Sequence, residues 1–339
     1  MFLRDLTLLS GVSGCEFEVR NYIKAKLEEI GCQYKIDKLG NVIAHNTVIN
    51  NSGKKNDKKI MLAAHMDEVG LMVSSIDDGG FIKFQTVGGI DNRILNSKLV
   101  EVGENKIPGV IGSKAIHLMS AEERGATLPV KSLYIDIGSS SKESTEAKVN
   151  IGDYVTFKSD YIEFGDNLIK AKALDDRAGC SVMLELLSMK LDIDFYACFT
   201  VMEEVGLIGS KVAADLVEPD FAIVLEGTVS ADMPEVKDSD KVTVIGKGPA
   251  ISLIDGGTVY NIDDVNFVTE LAKKHNIPYQ YRRSNAGSND AGPIHTRKGG
   301  CRAVAFSVPC RYIHSPISVA SKDDYENVIK LAKAVLENI

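Results

Sequence analysis

Ile60-Met61-Leu62-Ala63-Ala64-His65-Met66-Asp67-Glu68 sets five apolar residues directly before a histidine and, two places on, a pair of acids. A short, continuous apolar run suits a strand buried on both faces, and such strands belong to sheets covered by helices. In open sheets of that kind the functional crevice lies beyond the carboxyl ends of the strands, which is where His65 and Asp67 fall. Upstream, the pattern from about Leu3 to Ile30 is helical. Ser13 or Glu16 can open a helix in which Val19, Ile23 and Leu27 share one face, and Gly31 closes it. Asn46 to Lys59 is polar with glycine and asparagine and reads as a surface loop. Beyond Asp166, helical and strand-like runs alternate: a helix over Asp176 to Met189, a strand over Phe195 to Met202, a helix over Gly209 to Leu216 and a strand over Phe221 to Leu225. A helix over Val265 to His275, a strand over Arg302 to Val308 and a closing helix over Lys322 to Leu336 follow. This alternation predicts an α/β fold, a sheet with helices on both faces.

The stretch from about Gly70 to Gly165 differs. Leu71 to Ile76, Phe81 to Val87 and Lys98 to Val102 alternate in polarity and are separated by Asp-Asp-Gly-Gly and Gly-Gly turns. Short strands with turns this dense predict an all-β module. The expected organisation is one α/β domain over 1–69 and 166–339, with a β-rich insert over 70–165.

The chain has 339 residues, room for roughly two domains at about 150 residues each. Lys and Arg number 39 against 47 Asp and Glu, a net charge of −8, which argues against a nucleic-acid partner. No apolar run approaches the roughly 18 residues that span a bilayer, so no membrane partner is expected. The opening MFLRDLTLLSG carries Arg4 and Asp5 and is too short and too charged for a signal peptide. The six cysteines contain no C-x-x-C pair and are too sparse for a disulfide scaffold. A cytoplasmic protein is the expectation.

Chemistry-bearing residues gather just past the predicted strands: His65 and Asp67, Glu203 and Glu204, Glu226, and His314 after a short loop, with Asp175 at a helix start. Each has a plainer reading alone. A single histidine is more often a hydrogen-bonded structural residue, and Asp175-Asp176 suffices as a helix cap. Adjacent carboxylates at Glu203-Glu204 repel unless a cation compensates. Two histidines with several carboxylates, all at strand ends, form a ligand set suited to zinc and related divalent metals.

Five blocks in order carry a close resemblance: Ala64-His65-Met66-Asp67-Glu68-Val69-Gly70, Ala173-Leu174-Asp175-Asp176-Arg177-Ala178-Gly179, Met202-Glu203-Glu204-Val205-Gly206, Leu225-Glu226-Gly227-Thr228 and Ile313-His314-Ser315-Pro316. The chain resembles the tetrahedral aminopeptidases, di-metal peptidases that include glutamyl and deblocking aminopeptidases and members once labelled cellulase or endoglucanase. The insert matches too, through Gly109-Val110-Ile111-Gly112-Ser113-Lys114, Leu133-Tyr134-Ile135-Asp136-Ile137-Gly138 and Ile151-Gly152-Asp153. The resemblance implies a zinc-peptidase-like mixed sheet and a small β-barrel-like dimerisation domain. It implies a metal-dependent aminopeptidase acting on short peptides, with two divalent ions per subunit: zinc or cobalt first, manganese or iron also suited. It further implies dimers that assemble into a dodecamer. By the same resemblance Asp175 bridges the metals, His65 and Glu226 complete one site, and Glu204 and His314 complete the other. Glu203 is the general base, Asp67 orients His65, and the Asp175-Asp176 peptide is cis, with Asp176 and Arg177 anchoring the turn away from metal.

The chain departs from the family's pattern twice. Glu226 stands where Asp is frequent. Gly287-Ser288-Asn289-Asp290-Ala291 replaces a Gly-Gly-Thr-Asp-Ala block, which assigns Gly287, Asn289 and Asp290 to a substrate pocket of altered shape. Nearby Arg282 and Arg283 could favour an acidic first residue, although a solvated strand end is the preferred reading. Two other functions compete. Paired carboxylates also serve glycosidases, but that leaves His65 and His314 unexplained, and the chain has no Trp for sugar stacking. An inactive oligomeric scaffold would not need the full set of ligands and Glu203.

Overall fold

The computed structural model describes residues 2–47 and 58–339. Most of the expected polar loop over 46–59 lies outside the described residues. Among the described residues eleven strands form one mixed sheet. Its main path runs Gln33–Ile36, Val42–Asn46, Phe195–Thr200, Ile60–His65, Phe221–Val229, Arg302–Arg311, Ser318–Ser321, Leu168–Ala171 and Ile162–Phe164. The middle four strands are parallel. Every residue of Ile60–His65 is buried, as the unbroken apolar run requires. Thr200 pairs with His65 and Val224 with Ala63. The parallel strands therefore finish at one edge of the sheet, and the loops that follow them share a crevice.

Helices cover both faces. Leu174–Ser188 lies against Ile60–His65 and Phe221–Val229, and Phe2–Leu8, Phe17–Ile30 and Lys322–Leu336 pack around it. Its Ala178, Val182 and Leu186 are fully enclosed, each large aliphatic group contributing about 1.5–3 kcal/mol. On the other face Ile208–Val217 and Ala291–His295 pack together. Phe17–Ile30 buries Val19, Ile23 and Leu27, and Gly31 ends it at φ 77°, a conformation glycine adopts without strain.

The β-rich stretch closes into a barrel of Gly70–Ile76, Ile82–Val87, Tyr134–Asp136, Ile107–Gly112, Leu99–Val102 and Tyr154–Phe157. It has its own core, with Leu71, Val73, Ile82, Val100, Ile111, Ile135 and Val155 buried apart from the main one. The large sheet resumes at Ile162, inside the stretch that sequence assigned to the insert.

Candidate metal centre and active site

His65 ends its strand, Glu226 lies in Phe221–Val229, Glu203 and Glu204 follow Phe195–Thr200, and His314 follows Arg302–Arg311. Asp175 comes from the start of the helix Leu174–Ser188, which packs against the strands carrying His65 and Glu226. Its neighbour Gly227 makes room: a Cβ there would lie 2.8 Å from the Asp175 Cβ, and the Gly227 amide donates to Asp175 Oδ1 at 3.3 Å. The five expected ligands gather in one cluster, with Asp175 between the two histidines. His65 Nε2 is 3.4 Å from Asp175 Oδ1 and 3.6 Å from Glu226 Oε2. His314 Nε2 is 3.4 Å from both Asp175 Oδ2 and Glu204 Oε1. One Asp175 oxygen thus faces each histidine. Glu203 Oε2 is 3.9 Å from His65 Nε2, on the rim of the same cluster.

Donor atoms of His65, Asp175 and Glu204 lie within 4.8 Å of one another, and so do those of His65, Asp176 and Glu226. The two aspartates differ in their hydrogen bonds: both Asp176 oxygens accept a backbone amide, Oδ1 from Gly179 at 2.9 Å and Oδ2 from His65 at 3.2 Å, whereas Asp175 accepts one on Oδ1 alone. Asp176 and Arg177 are wholly buried, with the Arg177 guanidinium donating to the Met66 and Leu6 carbonyls. The Asp175-Asp176 peptide is cis.

The electrostatics describe a cluster short of positive charge. Burial raises the carboxyls of Glu203, Glu204 and Glu226, and neighbouring carboxylates add to the rise. Burial opposes charge on His65, yet Glu203, Asp175 and Asp67 together hold its pKa well above the ordinary value. His314 is raised against burial in the same way by Asp175 and Glu204. Glu226 Oε1 is buried with no hydrogen-bond partner. Two imidazoles and three carboxylates, one of them with an orphaned oxygen, suit hard or borderline divalent cations.

Asp67 ties the cluster together from behind. It is fully buried, and its Oδ1 and Oδ2 accept from the Glu203 and Glu204 amides, each at 3.0 Å. His65 Nδ1 lies 3.1 Å from the Asp67 carbonyl and 3.4 Å from Oδ1, which leaves Nε2 facing the ligands.

Beside the cluster is a cavity of about 520 Å³, lined by Thr228, Asp255, Arg282, Gly287, Ser288 and Asn289 among others. Gly287 and Asn289 stand at its wall as expected. Asp290 does not: it is fully buried beneath, its Oδ2 accepting from Thr200 Oγ1 at 2.6 Å. Arg282 also departs from its expectation. It is half-buried in the cavity wall, donating to Thr228 Oγ1 and to the Ser284 and Ala286 carbonyls, whereas Arg283 points away toward Asp238.

The sequence profile of the M42 glutamyl aminopeptidases matches residues 40–331. The chain belongs to the M42 glutamyl aminopeptidase family. It is 40% identical to an Acetivibrio thermocellus protein described as an aminopeptidase, over 97% of this chain and 96% of that one. The solved aminopeptidase of the archaeon Desulfurococcus kamchatkensis superposes with a TM-score of 0.93 at 37% identity, covering 100% of this chain and 94% of the other. The Pyrococcus horikoshii TET1 peptidase, which can assemble into a tetrahedron or a large octahedral shell, gives 0.87 at 31% identity over 99% and 98%. This M42 chain is accordingly a peptide hydrolase of the aminopeptidase type, and membership in the family sets aside the glycosidase reading.

Sequence reasoning missed four residues around the centre of this M42 fold. Ser13, Glu16, Glu68 and Lys172 are all buried and all bond to the loops that carry it. Ser13 and Glu16 had a sufficient local explanation as helix openers. Glu68 and Lys172 stood within or beside quoted blocks with no distinguishing signal.

Proposed function

We propose that this aminopeptidase holds two divalent ions per chain, zinc or cobalt first, and uses Glu203 as its proton carrier. The observation that carries this is the placement of His65 and His314 on opposite oxygens of Asp175, each with a further carboxylate, Glu226 and Glu204 respectively. When bound, the ions supply Lewis-acid polarisation of a carbonyl and acidify water. Glu203 is the one carboxylate at the rim not committed to this set. Its carboxylate stands 3.9 Å from His65 Nε2 and lines the cavity, where it can accept a proton from water and hand it to the departing amine. The polar cavity beside it receives the first residue of the peptide, with Gly287 and Asn289 at its wall.

The barrel is proposed as the dimerisation module. Leu99, Val110, Ile116 and Leu118 are large apolar residues of this stretch that stand exposed. Assembly of such dimers into a dodecamer would enclose the sites and restrict entry to short peptides, in keeping with the shells formed by the Pyrococcus relative.

The test is a panel of aminoacyl p-nitroanilides offered to metal-loaded protein, with metal content measured by mass spectrometry. Two ions per chain and turnover abolished by a chelator are expected. Turnover that survives complete metal removal would overturn the reading.

A further inference from the structure

The segment Gly11–Glu16 lies between the first two helices and touches both loops that frame the centre. Its backbone pairs with the loop after His65: the Ser13 amide donates to the Glu68 carbonyl at 3.2 Å, and the Glu68 amide to the Gly11 carbonyl at 2.9 Å. Its side chains reach further. Ser13 Oγ donates to Asp67 Oδ2 at 2.6 Å, with both groups buried. Glu16 is 3% exposed, and its Oε1 accepts from the Gly14 amide at 2.7 Å and from the Met202 amide at 3.2 Å. Met202 is the residue before Glu203.

A serine or glutamate at a helix start ordinarily serves the free amides of its own helix. Glu16 occupies the N-cap position of Phe17–Ile30 and makes no side-chain cap bond there. Its carboxylate is spent on the Glu203 loop, at the cost of burial that raises its proton affinity. Ser13 supplies the one hydroxyl on a carboxylate whose other donors are the Glu203 and Glu204 amides. Three donors fix the direction in which the Asp67 carboxylate faces His65 Nδ1.

We propose that Ser13 and Glu16 are positioning residues, which aim Glu203 and the His65 imidazole through Asp67 and Met202. This rests on the roles proposed above for His65 and Glu203. Without the Ser13 hydroxyl, Asp67 must satisfy itself on the two amides and the imidazole alone, and the Glu203-Glu204 turn shifts relative to His65.

The experiment compares Ser13→Ala, Ser13→Thr and Glu16→Gln with the unaltered chain. Loss of a hydrogen bond to a buried carboxylate should lower kcat about tenfold to a hundredfold in Ser13→Ala, with KM changed by less than about twofold. Ser13→Thr keeps the hydroxyl and should recover most of that loss. Glu16→Gln keeps an acceptor and should lose less than Ser13→Ala. Two further readouts do not depend on turnover. Zinc affinity, measured by chelator competition, should weaken in Ser13→Ala, and the visible spectrum of the cobalt-loaded protein should change. A folded Ser13→Ala protein with unaltered kcat, zinc affinity and cobalt spectrum overturns the proposal. So does a Ser13→Thr protein as impaired as Ser13→Ala, since the hydroxyl would then be irrelevant. If the unaltered chain cleaves no anilide, the functional reading fails, while zinc affinity and the cobalt spectrum still decide the positioning role.

Discussion

Glu68→Gln should destabilise the fold by about 3 kcal/mol, because it strands two buried cations. Glu68, Lys172 and Arg177 have side chains 5%, 4% and 0% exposed. Lys172 Nζ donates to Glu68 Oε1 at 2.5 Å, to Oε2 at 2.8 Å and to the Leu9 carbonyl at 2.6 Å, while Arg177 Nη2 lies 3.4 Å from Oε1. Removing one partner of such a cluster costs about 3–5 kcal/mol. The lower end applies because Lys172 has an escape. Burial draws its pKa down to about 8, so at pH 7 it can shed its proton for roughly 1–2 kcal/mol. Arg177 cannot shed its own. With a urea slope near 3 kcal/mol per molar, the midpoint should fall by about 1 M, read by circular dichroism on metal-free protein at fixed concentration. The double variant Glu68→Gln/Lys172→Met should recover part of the loss. The sign of the pH effect follows from the same lysine. It releases its proton near pH 8 when folded but near its ordinary value of 10.5 when unfolded. Between those values the unfolded chain binds more protons, so this group makes stability rise with pH, by about 3 kcal/mol across the window. Below pH 8 the cost of burying the ammonium is present in full. Lys172→Met should flatten the rise. A Glu68→Gln protein within about 0.5 kcal/mol of the unaltered chain would refute the claim that these three groups act as one ion cluster.

Glu203→Gln should cut kcat by about 10²- to 10⁴-fold and leave the metal content unchanged, since it removes a proton carrier and no ligand; a variant that loses metal but keeps turnover reverses that assignment. Arg282 has no carboxylate within ion-pair distance among the described residues, so the unaltered chain should prefer glutamyl over leucyl p-nitroanilide, and Arg282→Met should shrink the ratio of kcat/KM values at least about tenfold. Equal losses on both substrates would rule out contact with the substrate side chain. Ile116→Glu combined with Leu118→Glu should reduce the particle mass in light scattering, and an unchanged mass would move the contact between copies off this part of the barrel.

The sequence exposed the centre because its proposed ligands are coupled to a local pattern. An apolar run buried on both faces must end at the sheet's edge, so His65, the Glu203-Glu204 pair and Glu226 could be placed in one crevice before any contact was known. The residues that brace the centre have no such pattern. Ser13 bonds a residue 54 positions away and Glu16 one 186 positions away, and each satisfied a nearby rule for opening a helix. Asp290 failed in the reverse sense. Its place beside Gly287 and Asn289 in the chain points to the pocket, but its partner Thr200, 90 residues earlier, draws it beneath the surface. The edge of the insert was blurred for a related reason: Ile162–Phe164 is exposed along its whole length, so no apolar periodicity marks its return to the large sheet. What periodicity reports is burial against a layer. It has no means of reporting which of two buried polar groups will meet, because that depends on how loops from separate strands are brought to one edge. The groups proposed to touch the reacting atoms sit on the layered elements or a few residues beyond their ends, and those proposed to aim them lie one contact further out, where only the folded chain reveals the pairing.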